Sequence, residues 1–532
     1  MIVSIFNDVI GPVMRGPSSS HCAAALRIGR LTRDLMDANF QEVLVEFDRH
    51  GSLPTTHASQ GSDMGLFGGL MGWDAADERL PDSANALRET GVSIRIETVD
   101  TGDEHPNTYR LTLRRTPDEQ HTLIAISTGG GMIEVINIDG FEVSLFGDYH
   151  ETLLTLIGNG QALVQRLAAL IEVDDIRLHE HGGKQLVQVK AAECLSEAII
   201  SELRGACPVL QVARLAPVLP IASRKDTKVP FTTCEEMLLH DAGRSIPLWR
   251  HAVQYEMARG NLTESDVMAK MVEIVRILRR SIQQGIAGTH YDDRVLGHQS
   301  GKFSQLMQAG RLLNGGALNR IVLYVSAMME VKSAMGVIVA APTAGACAAL
   351  PGAVIGMADE LKVSEEDMAK AFLASGLIGA FIATRWTFAA EVGGCQAEGG
   401  SAAAMAAAAL VTLAHGTLPQ AVAAASMAFQ SMLGLICDPV ANRVEVPCLG
   451  KNVLAASNAL SCANMALADY DPVIPFDEVI ETAQRVGGQM PRELRCTALG
   501  GLSITKTSRA IEARLAARTV AACGASRRGG SQ

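Results

Sequence analysis

The sequence predicts a multidomain α+β chain: an N-terminal α/β region, a small βαββαβ module and a C-terminal all-α region. Three observations carry that prediction. At 532 residues the chain exceeds what one core holds, and a prior of ~150 residues per domain gives about three domains. Its texture changes near residue 150 and again at 222–228, where Arg224, Lys225 and Lys228 mark a polar linker. Beyond that linker the apolar residues recur at helical spacing in an alanine-rich background.

Composition narrows the class. With 48% hydrophobic and 19% charged residues the chain is globular, and a formal net charge of −11 argues against nucleic acid as a partner. Eleven cysteines, an odd number without short regular spacing, are not a secreted disulfide framework. The first residues lack the basic and apolar stretches of a signal peptide. The apolar run 400–427 is interrupted by His415, Gly416 and Pro419, which suits buried core helices better than a membrane span. The expectation is a cytoplasmic protein that uses neither membrane nor nucleic acid.

Taken in order, residues 1–150 form the first region. GPSSSH at 16–21 precedes a run of helical period, so Ser18, Ser19 and Ser20 sit ahead of a helix, where hydroxyls and free N–H groups cap it or bind a carboxylate. The segment 43–53 reads as a strand entering a turn. Gly129, Gly130 and Gly131 lie between strands, where positive φ is permitted. Residues 151–222 read as strand, helix, a hairpin turning at Gly182-Gly183, helix and strand. Residues 228–520 are helical, and the tail 521–532 is polar and small in composition.

The chemistry concentrates in 390–454. Cys395 lies between glycine pairs, Cys437 precedes Asp438-Pro439, and Cys448 follows Pro447, so all three thiols fall where apolar helix gives way to Gly or Pro. A thiol needed only as a small hydrophobe has no reason to sit at such breaks, although three unconnected buried cysteines are the plainer account. Three thiolates presented from loops suit an iron–sulfur cluster with one iron left open; an electron-transfer cluster wants four. Cys347 reads as packing. Cys22, Cys194, Cys207, Cys234, Cys462 and Cys496 have no motif around them and read as ordinary thiols. The sequence contains no recognisable pyridoxal phosphate lysine setting and no phosphate-binding glycine motif.

These residues resemble the iron–sulfur-dependent L-serine dehydratases (L-serine ammonia-lyases), in a single-chain form with small and large parts fused. The likeness rests on CQ-x-E at Cys395, CDPV at Cys437, PC-x-x-x-N at Cys448 and Asn452, GPSSSH at 16–21, APT-x-G-A at 341–346 and Arg-x-T-x-x-GGL at 495–502. It implies a [4Fe–4S] cluster on Cys395, Cys437 and Cys448, and no pyridoxal phosphate. It further implies a substrate carboxylate held by Ser18, Ser19, Ser20 and Thr343, with Lys302 and Asn452 as further substrate-binding residues. The implied base is a histidine: His57, His105 or His21. One departure stands out. Where the family carries a histidine in a Gly-rich segment, this chain has Gln60, whose amide neither gains nor loses a proton near neutral pH. His57, three residues earlier, is then the candidate base.

The resemblance also implies an ACT-like character for 151–222, with Gly158-Asn159-Gly160 as its ligand loop, and places Cys523 as a candidate lid over the cluster. The two regions are separate chains in some relatives, so the expectation is a site where they meet, in a homodimer. Two rivals remain beside L-serine deamination. One is a lyase of the same mechanism acting on threonine, cysteine or a substituted serine; the other is an iron–sulfur sensor that has lost catalysis.

Overall fold

In the computed structural model, residues 2–116 and 119–526 are described. The chain is a mixed α/β protein that divides into two units, neither of them continuous in sequence. One unit comprises Met1–Asp8, Ser20–Pro230 and Tyr255–Thr263; the other comprises Val9–Ser19, Phe231–Gln254 and Glu264–Gln532.

The first unit holds two sheets. Six strands run in the spatial order Ser93–Val99, Glu42–Asp48, Thr108–Thr116, Glu119–Gly129, Met132–Ile138 and Phe141–Leu145. The first pair is parallel and the rest are antiparallel. Apolar residues alternate along them, so Val43, Val45, Leu111, Leu113, Leu123 and Ala125 enter one core with the helices Ala24–Leu35 and Ser62–Leu70. Those helices approach closely because Gly65 and Gly69 carry no side chain. A Cβ on Gly65 would lie 1.9 Å from the Cys22 carbonyl oxygen, and one on Gly69 2.1 Å from that of Leu26. Gly130 and Gly131 (φ 63° and 91°) form the two-residue turn of a hairpin, and the Gly131 carbonyl accepts a hydrogen bond from Arg27 at 2.6 Å.

Residues 150–215 form the second sheet, ordered Val209–Leu215, His150–Leu156, Lys184–Ala191, Asp175–His181, with every neighbouring pair antiparallel. The helices Gly160–Leu170 and Glu197–Ala206 cover it and share a separate core of Leu154, Leu156, Leu163, Leu167, Val187 and Leu203. Ser196 starts the second helix, its side chain accepting from the Ile199 amide.

The second unit is built from long helices. At its centre Ser401–Leu413 (SAAAMAAAALVTL) is buried almost throughout, because alanine favours helix while adding almost no girth. Around it pack Ala349–Leu361, Glu365–Arg385, Leu418–Gln430 and Cys448–Leu467. Ser364 caps one of these helices, and Thr417 with Gln420 forms a capping box on another. Glu365–Arg385 is long and apolar enough to cross a membrane by length and composition, and 78% of its most apolar window is buried inside the protein. The unit's small sheet is a two-residue antiparallel pair, Val13–Met14 on Ile338–Val339. The segment 9–19 is tied in further by Gly11 N–H to the Ala340 carbonyl at 2.9 Å. The last helix runs over Lys506–Ser526, inside which the tail read as 521–532 begins. Residues 527–532 and the side chain of Cys523 lie outside the described residues.

Candidate functional site

In the helical unit the backbone breaks around Cys395 and Cys437 bring their two thiols together, while a third break sets Cys448 at the start of a helix. The short helix Ala390–Gly393 ends at Gly394 (φ 70°), where a Cβ would strike the Leu435 carbonyl and the Met490 side chain. Cys395 follows at once. Gln396 then locks the turn: its amide N–H donates to Leu435 O at 3.0 Å, and its side chain accepts from Gly434 N–H and donates to Ala483 O. Cys437 pairs as an isolated bridge with Arg495, its N–H donating to Leu494 O at 2.8 Å. Cys448 is the first residue of the helix Cys448–Leu467. One turn on, Asn452 accepts from the Ala348 and Ala349 amides and donates to the Gly345 and Cys448 carbonyls, all within 3.2 Å. Those four bonds use the whole capacity of its amide.

The thiol of Cys395, the thiol of Cys437 and a carboxylate oxygen of Glu398 lie within 4.8 Å of one another. All three residues are secluded; Cys395 and Cys437 are each 5% exposed. Glu398 accepts from Thr343 Oγ1 at 2.6 Å, and Cys395 Sγ stands 3.8 Å from its other oxygen. Burial pushes the Glu398 carboxyl up to about 7 against the pull of the Thr343 bond. Thr343 also accepts from Ala346 N–H, and the neighbouring Ala344 N–H donates to Ser19 Oγ at 3.1 Å, so Ser19 and the 341–346 loop are brought together.

The thiols differ in what perturbs them. Contact with the Cys395 and Cys496 thiols, and then burial, hold Cys437 well above the ordinary thiol range. Burial raises Cys448 as well, opposed first by the positive charge of Lys332. Lys332 is fully buried and donates to the Val444 carbonyl. Lys451 stands 3.7 Å from Cys395 Sγ and donates to Asp438 and to the Ile436 carbonyl, both at 2.7 Å. Burial works against its charge, but Cys395 and Asp438 outweigh that and raise its pKa. Buried thiols with two ammonium groups beside them fit a centre whose sulfurs ionise when a metal arrives.

In the first unit His21 is buried, its Nε2 2.8 Å from Thr56 Oγ1 and its Nδ1 3.2 Å from Ser20 Oγ. His57 Nδ1 lies 2.7 Å and 2.9 Å from the two oxygens of Asp63, and its ring packs on Phe47. His105 Nδ1 accepts from Asn107 N–H at 3.2 Å. Gln60 is buried. Ser18 is buried too, whereas Lys302 is exposed on the helix Ser300–Gln308. Sequence reasoning gave no role to Asp63, Lys332, Lys451 or Cys496. Asp63 had a local signal, since it closes the Gly-Ser-Asp that follows Gln60. The two lysines and Cys496 had none, because folding alone puts them beside the thiols.

A set of thiols with a carboxylate and two ammonium groups, inside an alanine-rich helical unit, defines the class as a helical domain built around a thiol centre. Residues 243–503 match the family described as serine dehydratase alpha chain. The probable L-serine dehydratase alpha chain of Bacillus subtilis (strain 168) is 37% identical over 285 residues, 54% of this chain and 95% of that one. The probable beta chain of the same organism is 32% identical over 220 residues, 40% of this chain and 98% of its own length. L-serine dehydratase 1 of Escherichia coli (strain K12) is 26% identical over 500 residues, 92% of this chain and 96% of that one. The chain belongs to the serine dehydratase alpha-chain family.

Proposed function

We propose that this protein deaminates L-serine to pyruvate and ammonia by β-elimination of water, and that Cys395, Cys437 and Cys448 hold a [4Fe–4S] cluster. The observation that carries the reading is the close group of Cys395, Cys437 and Glu398, set in a chain that aligns along 92% of its length with an L-serine dehydratase. Such a cluster, when bound, supplies an open iron as Lewis acid at the substrate hydroxyl.

The remaining work falls to side chains. Ser18, Ser19, Ser20 and Thr343 orient the carboxylate, Ser19 and the 341–346 loop being already joined by a hydrogen bond. His57 takes the α-proton: with Nδ1 engaged by Asp63, Nε2 is the nitrogen whose lone pair receives it. His21 and His105 are the other candidates. Asn452 shapes the site, holding the Cys448 helix to the 345–349 loop. Loss of hydroxide then gives an enamine, which leaves, tautomerises and hydrolyses to the keto acid and ammonia.

The βαββαβ order and antiparallel sheet of 150–215 support an ACT-type regulatory module, with Asn159 (φ 60°) forming its ligand loop between Gly158 and Gly160. Along the sequence the proposed domains are 1–150, 151–222 and a helical catalytic region 228–520 with a tail 521–532, residues 9–19 and 255–263 being exchanged between the two compact units, in a cytoplasmic homodimer.

The test is anaerobic reconstitution with iron and sulfide, followed by visible absorption and assay of keto acid and ammonia release. A brown protein that makes pyruvate from L-serine and loses both properties in air is expected. A brown protein inert to serine but active on threonine or cysteine would move the substrate. A colourless, inactive protein would refute the reading.

A further inference from the structure

Lys451 sits in the first turn of the helix Cys448–Leu467, where the helix dipole favours acidic side chains and works against a cation. It is also largely withdrawn from water, its side chain 15% exposed, which adds the cost of burying a charge. The helix gains nothing from such a residue, so its partners have to explain its place. The ammonium donates to Asp438 Oδ1 and to the Ile436 carbonyl, both at 2.7 Å, and these bonds fix two of its three hydrogens. The third faces Cys395 Sγ at 3.7 Å.

Asp438 is held in turn. Its other carboxylate oxygen accepts from Leu502 N–H at 2.9 Å. Gly501 (φ 57°) permits that approach, since a Cβ there would lie 2.5 Å from Asp438 Cβ and 2.6 Å from Oδ2. The turn at Gly500-Gly501-Leu502 therefore steers Asp438, Asp438 steers Lys451, and Lys451 meets the sulfur. The hydrogen bond of Lys332, the other buried ammonium, runs to the Val444 carbonyl instead.

We propose that Lys451 is a positioning residue for the metal centre: its ammonium holds the Cys395 sulfur by an N–H···S hydrogen bond and sets the charge felt by iron bound there, with Asp438 and the 500–502 turn fixing where the ammonium points. Hydrogen bonds to the sulfurs and nearby positive charge stabilise the reduced, more negative form of an iron–sulfur cluster and so raise its potential. A partner that orients a metal ligand from outside also adds to the retention of the metal. The cluster belongs to the proposed function; the chain of hydrogen bonds from Leu502 to Cys395 does not depend on it.

The experiment uses the full chain, reconstituted with iron and sulfide without oxygen, as wild type and as Lys451→Met, Lys451→Arg and Asp438→Asn. The midpoint potential is read by a redox titration followed by electron paramagnetic resonance, and iron retention by competition with a chelator. Lys451→Met should shift the midpoint to more negative potential and retain iron ~10–100-fold less tightly. Lys451→Arg keeps the charge and the N–H donors and should stay near wild type. Asp438→Asn removes the charge that offsets the ammonium and should shift the midpoint the opposite way. A wild-type midpoint in Lys451→Met, or the same shift in the Met and Arg variants, would make Lys451 a strut of the loop and overturn the proposal. If Lys451→Met takes up no iron, the sign in Asp438→Asn decides, and a negative or absent shift there overturns the proposal as well. Wild-type protein that binds no iron would sink the cluster reading and this proposal together, whereas a loaded wild type with an unmoved Lys451→Met sinks this proposal alone.

Discussion

At the scale of single residues, the His57–Asp63 pair carries the sharpest expectation. A positioned general base typically contributes ~10²–10⁴ in rate, so His57→Asn should lower kcat by that order while iron content and visible absorption stay unchanged. Unaltered kcat would move the base to His105 or His21. Glu256 makes a second, independent prediction. It is fully buried, accepts from the Ile5 amide at 2.9 Å, and burial raises its carboxyl from 4.5 to about 7. The folded chain therefore holds a proton that the unfolded chain releases at lower pH. This stabilisation is complete below pH 4.5 and is lost as pH rises through 7. The pH-dependent part is on the order of 3 kcal/mol. Glu256→Gln keeps the shape without the charge and should flatten the fall in Tm between pH 5 and 8; an unchanged slope would count against a protonated Glu256. Glu256 drew no attention in the sequence, because a carboxylate's importance lies in a partner that only folding supplies.

At the scale of elements, the site depends on how helices begin and end. The three thiols were legible because Gly and Pro interrupt helical periodicity around them, and those interruptions are visible in one dimension. What joins Cys437 to Arg495 and Cys496 was not legible, since it is backbone pairing between segments with no shared pattern. Asn452 falls between these cases: its spacing from Cys448 marks it as important, and the structure shows it bonding the helix start to the 345–349 loop. Asn452→Ala would remove four buried hydrogen bonds, among them the one its side chain accepts from the Ala348 amide, a loss of about 2–4 kcal/mol. Denaturant titration of the apoprotein should detect it, and iron affinity should fall with it. A stable variant that loses only substrate affinity would instead make Asn452 a direct substrate ligand.

At the scale of the whole molecule, length and changes of texture made the multidomain α/β character legible in the sequence. It hid the interleaving, because residues 9–19 look like the lead-in to the first helix although they belong to the helical unit. A fragment spanning 231–526 lacks Val13–Met14, the strand partner of Ile338–Val339, and the Ser19 hydroxyl that receives the Ala344 amide. Such a fragment should melt lower than the same unit within the full chain, and a peptide of residues 9–19 added in trans should recover part of the difference. A fragment as stable as the full-length unit would show that the segment adds nothing to it.

That same strand pair sets a timetable for synthesis. Val13 leaves the ribosome well before its partner Val339 is polymerised. At ~5–20 residues per second the early strand waits on the order of tens of seconds without its partner. The helical unit therefore cannot finish folding before Val339 is made, and the thiols at 437, 448 and 496 emerge later still. Any metal they take up is acquired after both strands of that pair exist, so iron has to be on hand as the last part of this unit emerges rather than when its first strand appears.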